Sequence, residues 1–226
     1  MRIGVLLSGC GVYDGAEIHE SVITLLALDR AGAQARCLAP DVAQLHVVDH
    51  RTGEVAEGES RNVLTEAARI ARGAVEDLAG VDPAELDGLI LVGGFGAAKN
   101  LSTFAVEGEA CSVREDVAGL VLALLDAKKP VGALCITPAV IAAILRDAGR
   151  TATLTLGTAT GDYEGIDGKL EAMGQRHVTC PMTGIHVDED LGLVCTPAYM
   201  EEGRISQAAA GIEALVARVL DLARGD

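Results

Sequence analysis

The sequence predicts an α/β domain of the flavodoxin-like kind, with a doubly wound, mostly parallel sheet and helices on both faces. Apolar runs at residues 3–8, 34–38 and 87–92 lack the alternation of half-exposed strands, which is typical of parallel strands buried on both faces. Helical periodicity at residues 17–31 and 61–72 separates these runs. Since strands and helices alternate, right-handed βαβ units are expected.

The rest of the chain continues this alternation. Two short apolar runs flank Arg51-Thr52-Gly53 within residues 44–55, which predicts a β-hairpin insertion. Periodicity predicts further helices at residues 113–127, 138–147 and 203–224, and short strands at residues 151–156, 176–180 and 193–196. The sequence contains no repeat, low-complexity tract or linker, so we interpret residues 1–226 as one domain.

Composition argues against several classes of function. A net charge of −15 argues against a nucleic-acid partner, and the first apolar run is too short for a signal peptide or a membrane span. The six cysteines form no Cys-x-x-Cys pair, so spacing indicates neither a zinc site nor a disulfide framework. Gly9 and Gly11 resemble the start of a dinucleotide fingerprint, but the third glycine is misplaced. We expect a cytoplasmic protein without cofactor, metal or membrane partner.

Cys135 is the strongest candidate nucleophile. It follows the run 128–134, which is mainly apolar, and directly precedes a predicted helix, so it is expected at the tip of a strand-to-helix elbow. A thiol there would face the free amides of a helix N-terminus, which lowers the pKa of cysteine. The alternative is a buried structural cysteine, which is common for this residue type.

Three loops follow predicted strands and are expected to meet at one edge of the sheet: residues 9–15, 93–96 and 134–136. In that crevice the amides after Gly93 and Gly94 are candidates, with the amide of Ile136, for an oxyanion hole, since glycine lets the main chain approach a substrate oxygen. The alternative is that both glycines serve only the turn.

The first helix supplies a candidate carboxyl group. Glu17 and Glu20 are three residues apart and therefore share one helix face, from which one of them is expected to reach the thiol. Burial would raise the pKa of that carboxyl group and suit it to proton transfer. For Glu17 we favour a solvated residue that complements the helix dipole, and for His19 a surface or core position.

Residues 8–20, 93–102 and 196–200 give the chain a resemblance to the DJ-1/PfpI superfamily, and within it to the ElbB-like proteins, described as glyoxalases. The likeness covers nearly the whole chain. It implies that Cys135 is the nucleophile, that Glu20 shares its proton, and that Gly94 and Ile136 supply the oxyanion amides. The family name also suggests a link to isoprenoid biosynthesis.

The chain departs from this family pattern at two positions. PfpI-type proteases have a histidine directly after the nucleophile, where this chain has Ile136, so protease activity is not expected. Where DJ-1 has a histidine before a proline, this chain has Cys180. If residues 176–180 lie beside the elbow as in the relatives, Cys180 would face the pocket, and Cys10 would border it. We weigh a resolving thiol against a buried, structural Cys180 and favour the latter.

The expected function is that of a glutathione-independent glyoxalase that converts glyoxal or methylglyoxal to glycolate or lactate through a hemithioacetal on Cys135. The alternative is a non-catalytic cysteine redox sensor or a partner-binding, chaperone-like protein. A small aldehyde is the expected ligand. We also expect a homodimer.

Overall fold

A mostly parallel, seven-stranded sheet with helices on both faces forms the centre of the computed structural model, which describes residues 1–158 and 164–225. In spatial order the strands are β10 (His186–Asp188), β11 (Leu193–Thr196), β7 (Val131–Leu134), β6 (Gly88–Leu91), β1 (Arg2–Leu6), β2 (Gln34–Ala39) and β5 (Val75–Asp77). Strand β10 runs antiparallel to β11, and the other neighbouring pairs in this sheet are parallel. The predicted flavodoxin-like fold class is confirmed.

The helices pack on the sheet in pairs, with α1 against α7 and α4 against α5. Their bounds are α1 (Ile18–Arg30), α2 (Val63–Ile70), α3 (Phe104–Glu107), α4 (Glu115–Asp126), α5 (Thr137–Asp147), α6 (Ile166–Ala172) and α7 (Ile205–Arg224). Strands β6 and β7 are buried along their whole length, as expected for strands covered on both faces. No helix in the described ranges has both the length and the apolar character that crossing a membrane requires.

Gly132 in β7 shows how closely the layers approach. A Cβ atom at this position would lie only 2.8 Å from Leu215 Cδ2 of α7 and 3.2 Å from Ile90 Cγ1 of β6. The side chains of α7 therefore pack directly on the backbone of β7, the strand that immediately precedes Cys135.

The short strands differ from the sequence-based expectation. The hairpin is present as β3 (Val48–Asp49) and β4 (Glu54–Val55). The runs at 151–156 and 176–180 contain only β8 (Thr153–Leu154) and β9 (Arg176–His177), which pair in a small sheet of their own instead of joining the central one. The edge strands β5 and β10 were not predicted, because each has three residues that include acidic side chains and carry no apolar pattern.

Asn100 connects the loop after β1 to the segment that follows β6 through hydrogen bonds of its side chain. It lies in a π-helical turn, Ala97–Leu101, and is buried. Its Nδ2 donates to the carbonyl oxygens of Ser8 and Asp14, each at 2.9 Å, and its Oδ1 accepts from the amide of Leu45 at 3.0 Å. One side chain thus connects three segments near the carboxyl edge of the sheet.

We expect Asn100→Ala to destabilise the protein by about 3 kcal/mol, because two buried carbonyl groups and one partly buried amide lose their partner at about 1 kcal/mol each. Urea unfolding followed by circular dichroism measures the change. Gln34→Ala, which removes an exposed amide side chain, is the matched control and should change the free energy of unfolding by less than about 0.5 kcal/mol. Equal stability of the two variants would contradict the connecting role of Asn100.

Candidate active site

Cys135 occupies a strained turn between β7 and α5. Its φ angle is +57°, in the left-handed region that a residue with a Cβ atom rarely adopts, at a cost of about 1 kcal/mol or more. The Cys135 amide donates to the carbonyl oxygen of Thr196 at 3.0 Å, and Pro138 lies in the first turn of α5. The predicted elbow is therefore present, and the neighbouring strand β11 holds it.

The carboxyl group of Glu20 is fully buried beside this thiol. Its Oε2 accepts from the Gly93 amide at 3.0 Å, and the Tyr199 amide and the Cys135 thiol also interact with the carboxyl group. A Cβ atom at Gly93 would lie 2.6 Å from Oε2 and would also collide with Cys135 Cβ. Glycine at position 93 is therefore what allows Glu20 and Cys135 to lie side by side.

Burial raises the pKa of Glu20 to about 8, with a further contribution from the charge of Glu17, whereas hydrogen bonds from Cys135, Tyr199 and Gly93 oppose the rise. The pKa of Cys135 is also raised, first by burial and then by the charge of Glu20. The predicted depression of the thiol pKa is therefore wrong, because desolvation and a neighbouring carboxylate outweigh the helix N-terminus. Glu20 and Cys135 therefore do not readily carry a negative charge at the same time.

The amides of Gly94 and Ile136 point at the sulfur of Cys135, where both lower its pKa. Gly94 has a φ angle of +99°, and a Cβ atom there would lie 2.6 Å from the Glu17 nitrogen, so this position also requires glycine. The prediction for Gly93 as an oxyanion donor is wrong, because Glu20 already accepts from its amide. Gly94 and Ile136 remain the candidate donors.

A cavity of about 40 Å³ opens beside the thiol. Eight described residues line it: Val12, Glu17, Gly94, Phe95, Cys135, Ile136, Tyr199 and Met200. The three predicted loops therefore converge, and a fourth segment, after β11, joins them. One water molecule needs about 10–15 Å³ of such cavity volume, so the cavity suits a ligand of only a few heavy atoms.

Glu17, His19 and Tyr199 form a polar cluster at this cavity. Glu17 caps α1, since its Oε2 accepts from the Glu20 amide at 2.6 Å, yet it is only 8% exposed and lines the cavity. The interpretation of Glu17 as a solvated residue is therefore wrong. His19 Nδ1 lies 2.9 Å from Tyr199 Oη. Sequence reasoning missed this pair, because its members are 180 residues apart and no spacing rule connects them.

Cys10 and Cys180 do not line the cavity in the part of the chain that the structure describes. Cys10 is half-buried among the charged groups of Asp14 and α2, and Cys180 is buried with its Sγ 3.6 Å from the Pro181 carbonyl oxygen. Their possible pocket-lining role is wrong: Cys180 follows β9, which pairs with β8 in a separate small sheet, and from the loop 9–15 it is Val12 that lines the cavity. The buried, structural interpretation of Cys180 is the better one.

No cluster of three His, Cys, Asp or Glu side chains in residues 1–158 and 164–225 is arranged to hold a metal ion.

The thiol thus lies on an elbow beside a buried glutamate in a doubly wound domain, and solved DJ-1-type structures have the same fold. The solved structure of Drosophila melanogaster DJ-1beta shares the fold, with a TM-score of 0.53 and 19% identity over 99% of this chain and 96% of that chain. A structure from Ehrlichia chaffeensis, described as an isoprenoid biosynthesis protein with an amidotransferase-like domain, is much more similar. Its TM-score is 0.88, with 35% identity, 98% of this chain and 99% of that chain covered.

Relatives from vertebrates show the family. The human glutamine amidotransferase-like class 1 domain-containing protein 3, mitochondrial, is 46% identical over 224 residues, which are 98% of this chain and 83% of the relative. The mitochondrial ES1 protein of Danio rerio is 31% identical over 213 residues, covering 89% and 77%. No family model matches the chain. The chain belongs to the family of ES1 and glutamine amidotransferase-like class 1 domain-containing proteins.

We expect Glu20→Gln to make Cys135 more reactive toward iodoacetamide at pH 7. Both the charge and the hydrogen bond of Glu20 raise the thiol pKa, so their removal lowers it and increases the thiolate fraction several-fold. Peptide mass spectrometry after timed alkylation measures the rate at Cys135.

Glu17→Gln is the matched control for this measurement, because it keeps an oxygen to cap α1 and Glu17 is not among the charges that act on Cys135. Its alkylation rate should not rise. A slower reaction of Glu20→Gln than of the wild type would show that Glu20 promotes ionisation of the thiol, contrary to the structure.

Proposed function

We propose that this protein is a glutathione-independent glyoxalase that isomerises and hydrolyses small 2-oxoaldehydes, glyoxal or methylglyoxal, to glycolate or lactate. The single observation that carries the proposal is the burial of Glu20 beside Cys135, with the amides of Gly94 and Ile136 directed at the sulfur. The nucleophile and the oxyanion donors thus line one small cavity, and the proton carrier Glu20 is buried in contact with the nucleophile.

Addition of the thiol to the aldehyde carbon is the first step. As the Cys135 proton passes to the Glu20 carboxylate, the sulfur attacks the aldehyde carbon and the carbonyl oxygen becomes an alkoxide. The amides of Gly94 and Ile136 stabilise this oxygen, which then takes the proton back from Glu20, so that the hemithioacetal forms and Glu20 is again a carboxylate. Moving the proton from thiol to carboxylate keeps the buried site at one negative charge throughout the attack.

A proton then moves between the two carbons of the substrate. Glu20 removes hydrogen from the carbinol carbon and returns it to the neighbouring carbon through an enediol, so that a thioester forms on Cys135. Water attacks the thioester carbonyl, the carbon–sulfur bond breaks, and the hydroxy acid and free thiol are released. A carboxyl group with a pKa of about 8 suits this task, because it is basic enough to take a proton and acidic enough to return it near neutral pH.

The cavity favours a small, uncharged substrate. Val12, Phe95 and Met200 give it apolar walls, while Glu17 contributes a carboxyl group and no lysine or arginine is among the described lining residues. A carboxylate substrate would have to be desolvated beside acidic side chains, at a cost of several kcal/mol. Two-carbon and three-carbon aldehydes fit both the volume and the polarity.

The subcellular location and the oligomeric state of the protein are also part of the proposal. We propose the cytoplasm, as expected from the sequence, and note that the names of the human, rat and zebrafish relatives include "mitochondrial". Six free thiols suit either compartment, since both are reducing. Fractionation of the source cells decides between them. The expected homodimer is a further proposal, which light scattering tests against the chain mass of 23.2 kDa.

We expect the wild type to form lactate from methylglyoxal without glutathione, and kcat/KM to rise with pH through about 8. The active free enzyme holds one proton between thiol and carboxyl, so activity grows as Glu20 loses its proton and falls only when Cys135 also ionises, well above that pH. A lactate assay over a pH series measures this profile.

Cys135→Ser and Glu20→Gln should reduce turnover to background in the same assay, while Cys111→Ser, a buried thiol outside the cavity, should retain it. An inactive wild type, or an active Cys135→Ser variant, would contradict the proposal. In the first case the redox-sensor alternative would gain support, and peroxide oxidation of Cys135 would test it.

A further inference from the structure

The proposed reaction needs a second proton donor that Cys135 and Glu20 do not provide. When Glu20 removes hydrogen from the carbinol carbon, negative charge develops on the oxygen of the neighbouring carbon, one bond farther from the sulfur. The amides of Gly94 and Ile136 are directed at the sulfur and thus toward the first oxygen. No histidine is among the described residues that line the cavity. The oxygen on the second carbon therefore needs a proton donor other than these two amides.

Tyr199 is the side chain best placed for this task. Among the described lining residues, exchangeable side-chain protons belong to Glu17, Cys135 and Tyr199. Glu17 Oε2 caps α1 by accepting from the Glu20 amide at 2.6 Å. The Tyr199 hydroxyl lies 2.9 Å from His19 Nδ1, and the His19 side chain is 53% exposed. A chain of two groups therefore links the cavity to solvent.

The backbone around Tyr199 shows that its placement is tightly constrained. The preceding residue, Ala198, has a φ angle of +44°, a strained conformation for a residue with a Cβ atom. The Tyr199 amide lies close enough to the Glu20 carboxyl group to lower its pKa, so the same residue adjoins the proton carrier and lines the cavity. Burial, with the charges of Glu17 and Glu20, raises the phenol pKa, which keeps the hydroxyl protonated and able to donate at neutral pH.

We infer that Tyr199 is the general acid for the second substrate oxygen and that His19 is a positioning residue that restores the proton of Tyr199. This inference rests on the proposed glyoxalase function. As Glu20 takes the carbon-bound proton, the phenol O–H bond breaks and its proton joins the second oxygen, giving the enediol. The phenolate oxygen takes the Nδ1 proton of His19, which recovers a proton from water. When Glu20 reprotonates the second carbon, the first hydroxyl releases its proton to solvent and the thioester carbonyl forms.

The experiment compares Tyr199→Phe, His19→Phe and Tyr13→Phe with the wild type in methylglyoxal turnover and in iodoacetamide labelling of Cys135. Tyr13 is an exposed tyrosine that stacks on His50 with ring centroids 5.0 Å apart, so it controls for loss of a phenol elsewhere. Tyr199→Phe should lower kcat by roughly 100-fold and change KM little, since a general acid acts in the transition state. His19→Phe should lose about tenfold, because Tyr199 keeps its own proton but recovers it more slowly. Tyr13→Phe should match the wild type.

Labelling of Cys135 separates this chemical role from a structural one. Phenylalanine keeps the ring and the amide that contacts Glu20, so the labelling rate of Tyr199→Phe should stay within about twofold of the wild type. A wild-type kcat in Tyr199→Phe, or equal losses in labelling and turnover, would overturn the inference while leaving the glyoxalase function intact. An inactive wild type would instead refute the proposed function, and the relay with it.

Discussion

The burial of two ionisable groups side by side is the constraint on which the rest of this site depends. The side chains of Glu20 and Cys135 are both buried, so a second negative charge next to the first is strongly disfavoured. The surroundings compensate with backbone amides, which supply hydrogen bonds without adding a full positive charge. Gly93 and Tyr199 serve the carboxyl group, and Gly94 and Ile136 serve the sulfur. A pair of this kind retains a proton that it can move but not easily lose.

Three turns with positive φ angles lie around this pair. Positive φ angles occur at Cys135, Gly94 and Ala198, each directly after or shortly after a strand of the central sheet. The close contacts at Gly93 and Gly94 leave no room for a Cβ atom. Both positions after β6 must therefore be glycine if Glu20 is to reach the thiol. The strain is tolerated because the buried strands β6, β7 and β11 fix the ends of these turns. Stability of the sheet thus sustains the geometry of the site.

Much of this arrangement could be predicted from the sequence, because apolar strand runs and helical periodicity reflect local physics. The elbow at Cys135 and the convergence of the strand-end loops followed from strand order and direction, and the choice of Glu20 followed from the family resemblance. The thiol pKa could not be predicted, because it depends on burial and on Glu20, which is distant in the sequence. The contact of His19 with Tyr199 and the separation of β8 and β9 from the main sheet are likewise tertiary results, with no signature in spacing.

The most direct test of this account is an infrared titration of the Glu20 carboxyl group, read as the difference spectrum between wild type and Glu20→Gln. The account predicts a protonated carboxyl C=O band that persists at neutral pH and disappears as the pH rises through about 8. A band that is lost by about pH 5, near the value for glutamate in water, would contradict it. Such a result would mean that Glu20 carries its charge beside the thiol and cannot share the proton on which the proposed chemistry depends.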